Sequence, residues 1–133
     1  MSEFKSKDFS SSFKHALSGL ALIYKSQRNI KIQILLGLFA VLMAILLEFN
    51  VIEFVILFVL TALVLFAEMV NTVIEFILDS IYKHKFSQIA KIAKDMSAGM
   101  VLFVSVAAAV SGILLFGYKF LLFINGGEYC LCY

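Results

Sequence analysis

The sequence predicts an all-α integral membrane protein with one N-terminal amphipathic surface helix and three transmembrane helices. Of its 133 residues, 62% are hydrophobic, and the mean hydropathy of +1.01 is too high for a soluble domain of this size. The chain has no proline and only 15% charged residues, which favours uninterrupted helices over the short alternating strands of a membrane barrel. We therefore expect a single membrane domain in which transmembrane helix 2 extends into the cytosol.

Each predicted element follows from a local pattern. Between residues 10 and 28, Phe13, Leu17, Leu20 and Tyr24 recur at helical spacing after three serines that can cap a helix. Basic residues flank this apolar face, so the helix should lie on the membrane surface. Longer apolar runs predict a first span, a second span with its extension, a third helix capped by Ser87, and a C-terminal tail: residues 30–48, 52–81, 87–116 and 117–133.

The basic residues predict the orientation of the chain. All but one of the eleven lysine and arginine residues lie before Ile32 or between Lys83 and Lys94. Because cytoplasmic segments are enriched in these residues, we expect a multi-pass protein of the plasma (inner) membrane with a cytoplasmic N-terminus. Small residues in the third span allow close helix packing, and three spans are few for enclosing polar groups, so a homo-oligomer is expected.

Four polar residues form what we call the polar stripe: Glu68, Asn71, Glu75 and Asp79. At helical spacing they fall on one side of the second transmembrane helix. Glu68 lies about 24 Å from the start of this helix, near the inner edge of a hydrocarbon layer roughly 30 Å thick. A solvated helix face would explain Asp79, but a carboxylate at the depth of Glu68 is costly unless it is paired or protonated.

The depth of each group suggests a different task. Glu68, at the lipid edge, is suited to accept a proton from a lipid hydroxyl. Glu75, nearer water, could hold Mg²⁺, which binds one or two carboxylates together with phosphate oxygens. Lys91 and Lys94 could neutralise phosphate charge, although anchoring at the membrane surface is the alternative reading. Phosphate-binding glycine loops of the usual nucleotide folds are absent from the sequence.

Two segments resemble the small prokaryotic diacylglycerol kinases, and more closely the Gram-positive undecaprenol kinases among them. Residues 68–75 are similar to the family pattern Glu-x-x-Asn-Ser/Thr-x-Ile-Glu, and residues 90–99 to the segment Ala-Lys-Asp-x-x-(Ala/Ser)-(Gly/Ala). Residues 12–16 and 26–29 add further matches. The likeness covers about residues 10 to 116, and it implies a homotrimer that transfers the γ-phosphate of ATP to a lipid alcohol at the cytosolic face.

The resemblance also implies roles for individual residues. Glu68 matches the general base and Asn71 an amide that organises the site. Glu75 matches the carboxylate that holds Mg²⁺ with the nucleotide, and Lys94 a phosphate contact. Two further positions match residues that support the nucleotide site: Asp79 and Asp95.

Two positions depart from the family pattern. Gln27 stands where many relatives have an acidic residue that helps Glu75 with the metal, and Gln33 replaces a common histidine. The resemblance therefore places Gln27 at the nucleotide and metal site, where we expect metal coordination to be weaker or to be completed by another group. Undecaprenol and diacylglycerol both remain possible acceptors, and no nucleic-acid partner is expected.

Two other functions are open on the sequence. A small proton- or cation-coupled transporter would use Glu68 as its ion site, because an intramembrane acid is also typical of transporters. A non-catalytic assembly subunit would need none of the polar stripe. Cys130 and Cys132 lie in the last four residues, where we expect a dispensable tail.

Overall fold

The structure, a computed structural model, describes residues 9–83 and 85–125. Over these residues it contains no strand and four helices: α1 (Phe9–Ser26), α2 (Arg28–Leu46), α3 (Val51–Tyr82) and α4 (Gln88–Ile124). The last three are long and apolar enough to cross a membrane. The predicted fold class, a short first helix followed by three membrane-spanning helices, is confirmed.

Helix α1 has no buried residue, as expected of a helix whose apolar face is available to the membrane. It already begins at Phe9, so the three serines predicted to cap it lie inside its first turn. A single residue, Gln27, separates α1 from α2 because its backbone is extended, with φ −114° and ψ 121°. The first long helix therefore begins at Arg28 rather than at residue 30.

The connection between α2 and α3 is a tight turn of residues 47–50. We call the end of the bundle around this turn, with the adjoining parts of α2, α3 and α4, the turn end. Glu48 adopts a left-handed backbone with φ 51°. Asn50 caps α3, because its side chain accepts a hydrogen bond from the Glu53 amide while Glu53 Oε2 accepts one from the Asn50 amide at 2.7 Å. This reciprocal pair satisfies two amides at the helix start and fixes where α3 begins.

Helix α4 corrects the expected boundary of the tail. It continues past residue 116, through Gly117 and Lys119, to Ile124. The apolar pattern does not stop at Phe116, and one glycine lowers helix stability by only about 1 kcal/mol. His84 and residues 126–133, including both cysteines, lie outside the described residues.

Helix α3 is the centre of the bundle, since it packs against both α2 and α4. A small core at the turn end joins all three helices. Ala44 of α2, Phe49 of the turn and Leu57 of α3 are buried there, and Phe116 of α4 packs against them. The Phe49 and Phe116 rings lie 4.8 Å apart. We call the opposite end of α3 and α4, which carries Glu75 and Lys94, the polar end.

Candidate active site

The innermost group of the polar stripe is Glu68. It is only 4% exposed although it follows a long apolar run of α3. Gln33 of α2 donates a hydrogen bond from Nε2 to Glu68 Oε2 at 3.3 Å. The Gln33 carbonyl oxygen, Oε1, is buried and has no hydrogen-bond partner among the described residues. The carboxylate is thus held from one side, and an unused acceptor lies beside it.

One turn along α3, Asn71 connects the stripe to α4. Its Nδ2 donates to Glu75 Oε1 at 3.1 Å. Ser97 of α4 is 2% exposed, and its Oγ lies 2.6 Å from Asn71 Oδ1 and 2.9 Å from the Lys94 carbonyl oxygen. Because a serine hydroxyl has one proton, these two acceptors share it. Asn71 is thereby fixed with its carbonyl towards α4 and its amide towards Glu75.

Lys94 and Asp79 form the outermost contact between α3 and α4. Their ion pair is 2.5 Å long, and the side chains are 36% and 38% exposed. A pair this exposed contributes little to stability because water and salt screen it. The ammonium group is therefore held at Asp79 by a contact that contributes little to the stability of the fold.

A cavity of about 460 Å³ opens beside this ion pair. Its lining includes four residues predicted for the site, Asp79, Lys91, Lys94 and Asp95. Tyr82, Lys85 and Phe86 also line it. The start of α4 borders the cavity, where Ser87 caps the helix by accepting a hydrogen bond from the Ala90 amide at 3.4 Å. Lysines and the positive end of a helix dipole both attract anions, so phosphate groups suit this place.

Gln27 lies apart from these contacts. Its side chain makes no capping hydrogen bond, and no hydrogen bond of the described residues joins it to Glu75. Helices α2 and α3 run in opposite directions, and Gln33 contacts Glu68. Gln27 and Glu75 therefore each lie about 10 Å from this contact, towards the polar end. Gln27 and Glu75 are thus at a similar level of the bundle.

The described residues contain no group of three or more His, Cys, Asp or Glu side chains that could hold a metal ion. Glu75 and the side-chain oxygen of Gln27 are nevertheless hard oxygen donors of the type that Mg²⁺ prefers. Magnesium sites are commonly completed by substrate phosphates and water rather than by a full protein cage. The residues present therefore fit a magnesium ion that arrives with a nucleotide.

The sequence does not indicate the roles of two residues of the site, Ser97 and Gln33. Ser97 was noted only as part of a family motif, yet it is the direct link between Asn71 and α4. Gln33 was noted as a departure from a common histidine, yet it is the hydrogen-bond donor to Glu68. Ser97 follows Lys94 by one helical turn, and this spacing was the available signal that both face α3.

Fold and site together define a helical membrane protein with a lysine-lined polar site at one end of its spans. The family model for prokaryotic diacylglycerol kinase matches residues 14–116. The chain therefore belongs to the prokaryotic diacylglycerol kinase family, as the sequence motifs predicted.

Two curated relatives have activities in their names. A diacylglycerol kinase of Synechocystis sp. is 34% identical over 76% of this chain, and the match spans 58% of that protein. An undecaprenol kinase of Bacillus subtilis is 32% identical over 81% of this chain and 87% of that protein. No solved structure matches the chain.

Proposed function

We propose that this protein is an ATP- and Mg²⁺-dependent lipid kinase that phosphorylates a lipid alcohol, with Glu68 as the general base. The observation that carries the proposal is the position of the buried Glu68. It lies where the apolar part of α3 ends, and the polar network and the lysine-lined cavity follow on the same face. A hydroxyl that arrives from lipid and a phosphate that arrives from water would meet there. The names of the two relatives make undecaprenol and diacylglycerol the acceptors to test.

The acceptor step uses Glu68. Its carboxylate takes the proton of the lipid hydroxyl while the hydroxyl oxygen forms a bond to the γ-phosphorus of ATP. The bond between that phosphorus and the bridging oxygen breaks, and ADP leaves with the electron pair. Gln33 holds Glu68 Oε2 by its hydrogen bond, which leaves the second carboxylate oxygen for the substrate. Burial of Glu68 keeps water, the competing acceptor, away from the transferred phosphoryl group.

The donor side uses the cavity at the polar end. Lys94 can leave Asp79 and bind a phosphate, because breaking their exposed ion pair costs little free energy. Lys91 adds a second positive charge in the same cavity, and Asp79 and Asp95 line its wall. Asn71 organises the site by holding Glu75. Glu75, with Gln27 as a weaker second ligand, would hold Mg²⁺, which neutralises phosphate charge when bound.

The location and assembly are also part of this proposal. The basic residues of α1 and of the connection between α3 and α4 support a cytoplasmic polar end and N-terminus in a plasma membrane. ATP is then supplied on the side where the cavity opens. The family resemblance supports a homotrimer, and the exposed apolar surfaces of α2, α3 and α4 leave room for neighbouring copies.

A transporter would also explain a buried acid, but two observations favour the kinase. Glu68 lies about 26 Å from the start of α3 at Val51, whereas a carrier site is expected near the midplane of the membrane. The lysine-lined cavity next to the stripe has no evident task in the transport of a cation.

The test is to incubate purified protein in mixed micelles with γ-labelled ATP, Mg²⁺ and either undecaprenol or diacylglycerol. We expect a labelled phospholipid from at least one acceptor, and a loss of about 100-fold or more in Glu75→Gln protein. If neither lipid is labelled, the kinase assignment is wrong. Proton flux into liposomes that contain the protein would then support the transporter.

A further inference from the structure

Helices α2 and α3 come into close contact where Gly37 of α2 faces Thr61 of α3. A Cβ atom added at Gly37 would lie 3.0 Å from Thr61 Cγ2, whereas carbon atoms in ordinary contact are about 3.5–4.0 Å apart. At Gly99 and Gly117 of α4 an added Cβ atom meets nothing within 4 Å. Position 37 therefore needs a residue without a side chain, because the two helices approach each other closely there.

The Thr61 side chain is fixed in the orientation that makes this contact. Its Oγ1 donates a hydrogen bond to the Leu57 carbonyl oxygen at 2.9 Å. Because the γ-substituents of threonine occupy staggered positions, holding the hydroxyl also sets the direction of the methyl group, Cγ2. The methyl group cannot turn away from Gly37 unless this hydrogen bond breaks. The α3 side of the contact is therefore rigid.

The contact is narrow, since a cavity lies on each side of it. One cavity, of about 360 Å³, lies between α2, α3 and α4, and another, of about 580 Å³, lies between α2 and α3. Gly37 and Thr61 line both cavities. The buried residues of α2, Ile30 and Ala44, lie near its two ends. In the middle of α2, the contact between Gly37 and Thr61 therefore sets the distance to α3.

The same faces of the two helices carry Gln33 and Glu68. Gln33 precedes Gly37 by one helical turn, and Glu68 follows Thr61 by two turns. Because the helices run in opposite directions, Gln33 and Glu68 both lie towards the polar end, about 6 Å and 10 Å from the contact. Gln33 Nε2 reaches Glu68 Oε2 at 3.3 Å, which is slightly beyond the usual range of about 2.7–3.2 Å. If α2 and α3 moved apart by about half an ångström, this hydrogen bond would break.

We propose that Gly37 is a positioning residue for phosphate transfer, because its contact with Thr61 sets the helix spacing at which Gln33 holds Glu68. The inference rests on the proposed function, in which Glu68 is the base. A base works only within hydrogen-bond reach of the proton that it takes. Since Gln33 holds one oxygen of the carboxylate, the position of the other oxygen depends on this spacing. Gly37 itself carries no reacting group and acts through Gln33.

Gly37→Ala tests the proposal, and Gly117→Ala is the matched control. Both changes add one methyl group to a glycine within a helix, but only the methyl group at position 37 meets Thr61. A displacement of about 1 Å in an active site can cost about 100-fold in rate, so we expect kcat to fall about tenfold in Gly37→Ala. KM for ATP should not change, because Gly37 does not line the cavity at the polar end. Gly117→Ala should keep the wild-type kcat, and a wild-type kcat in Gly37→Ala would overturn the proposal.

Thr61→Ser provides a rescue that is specific to this contact. Serine lacks Cγ2 but keeps the hydroxyl that donates to the Leu57 carbonyl oxygen. In the double variant Gly37→Ala/Thr61→Ser the added Cβ atom has room, so kcat should return to within about twofold of the wild-type value. If Thr61→Ser does not restore kcat, the loss does not arise at this contact and the proposal is wrong.

A second measurement follows Gln33 without any reaction. The side-chain amide NMR signals of Gln33, measured on the protein in micelles and assigned by their loss in Gln33→Met, report its hydrogen bond to Glu68. We expect these signals to shift in the same direction in Gly37→Ala as in Glu68→Gln, which removes the charged acceptor, and to return in the double variant. Unchanged signals in Gly37→Ala would overturn the route through Gln33. If the signals respond as expected but the wild-type protein transfers no phosphate to lipid, the proposed function is wrong and the spacing role of Gly37 stands.

Discussion

Helix α3 buries two glutamates, Glu53 near its start and Glu68 near its middle, and their surroundings differ. At the turn end, Glu53 accepts from the Asn50 amide and pairs with Lys119 of α4 at 3.0 Å. Lys119 also donates to the Glu48 carbonyl oxygen at 3.3 Å and lies 5.9 Å from the centre of the Phe49 ring. Further along the helix, Glu68 is more buried than Glu53, but among the described residues its carboxylate makes one side-chain hydrogen bond, with Gln33.

This difference separates a structural carboxylate from one that can react. A buried charge is tolerated when it is paired and hydrogen-bonded, and Glu53 meets both conditions within the fold. Glu68 has an amide donor but no described cation, and the carbonyl oxygen of that same amide is unused. Groups with incomplete hydrogen bonding in a buried place are the ones available to a ligand. Burial alone would not have distinguished the two.

The largest effect on stability is expected from Lys119→Met, which keeps the length of the side chain and removes its charge. Glu53 is then left buried without its cation, which should lower the free energy of unfolding by about 3 kcal/mol. Unfolding in mixed detergent micelles, followed by circular dichroism, measures the change. Lys25→Met, on the exposed surface of α1, is the control. Equal stability of the two variants would show that the ion pair does not hold the turn end.

Lys94→Met should act on the polar end instead. We expect KM for ATP to rise about 10- to 100-fold because a phosphate contact is lost, with little change in thermal stability since the ion pair is exposed. Asp79→Asn breaks the same ion pair but leaves the lysine, and it should raise KM for ATP less. If both variants raised it equally, the ion pair rather than the ammonium group would be the important feature.

Ser97→Ala tests the link between Asn71 and α4. Removal of the hydroxyl leaves Asn71 Oδ1 without its donor, at a cost of about 1–2 kcal/mol. We expect kcat to fall about tenfold as Asn71 and Glu75 lose their fixed orientation. Ser80→Ala removes an exposed hydroxyl that bonds only its own helix and should leave kcat at the wild-type value. Equal kcat in both variants would remove Ser97 from the site.

The smallest effect is expected from Gln27→Asp, which adds a carboxylate at the level of Glu75. The Mg²⁺ concentration that gives half-maximal activity should fall about fivefold, because a charged oxygen ligand replaces a neutral one. Titration of activity with Mg²⁺ at fixed ATP measures this. An unchanged titration would mean that position 27 does not reach the metal.

The helices and the polar stripe could be predicted from the sequence because both depend on local periodicity. Hydropathy predicted the three spans, and helical spacing placed Glu68, Asn71 and Glu75 on one side. The end of α4 could not be read from its local pattern alone. No breaker stands at Phe116, and Gly117 is tolerated within the helix.

The contacts between helices could not be predicted, because they depend on how the helices align. Lys119 reaches Glu53 from a region that the sequence analysis assigns to the tail. Gln33 and Ser97 likewise contact α3 across helix pairs. Nothing in the spacing along one helix states which residue of another helix lies opposite.

The most direct test of the account compares Glu68→Gln with Glu53→Gln, the same change at two buried positions of α3. Phosphate transfer from ATP to the lipid alcohol and stability in detergent are measured for both variants. We predict that Glu68→Gln lowers kcat by about 10²- to 10⁴-fold without loss of stability, whereas Glu53→Gln lowers stability and retains transfer. Robust phosphorylation by the Glu68→Gln protein would contradict the assignment of Glu68 as the base.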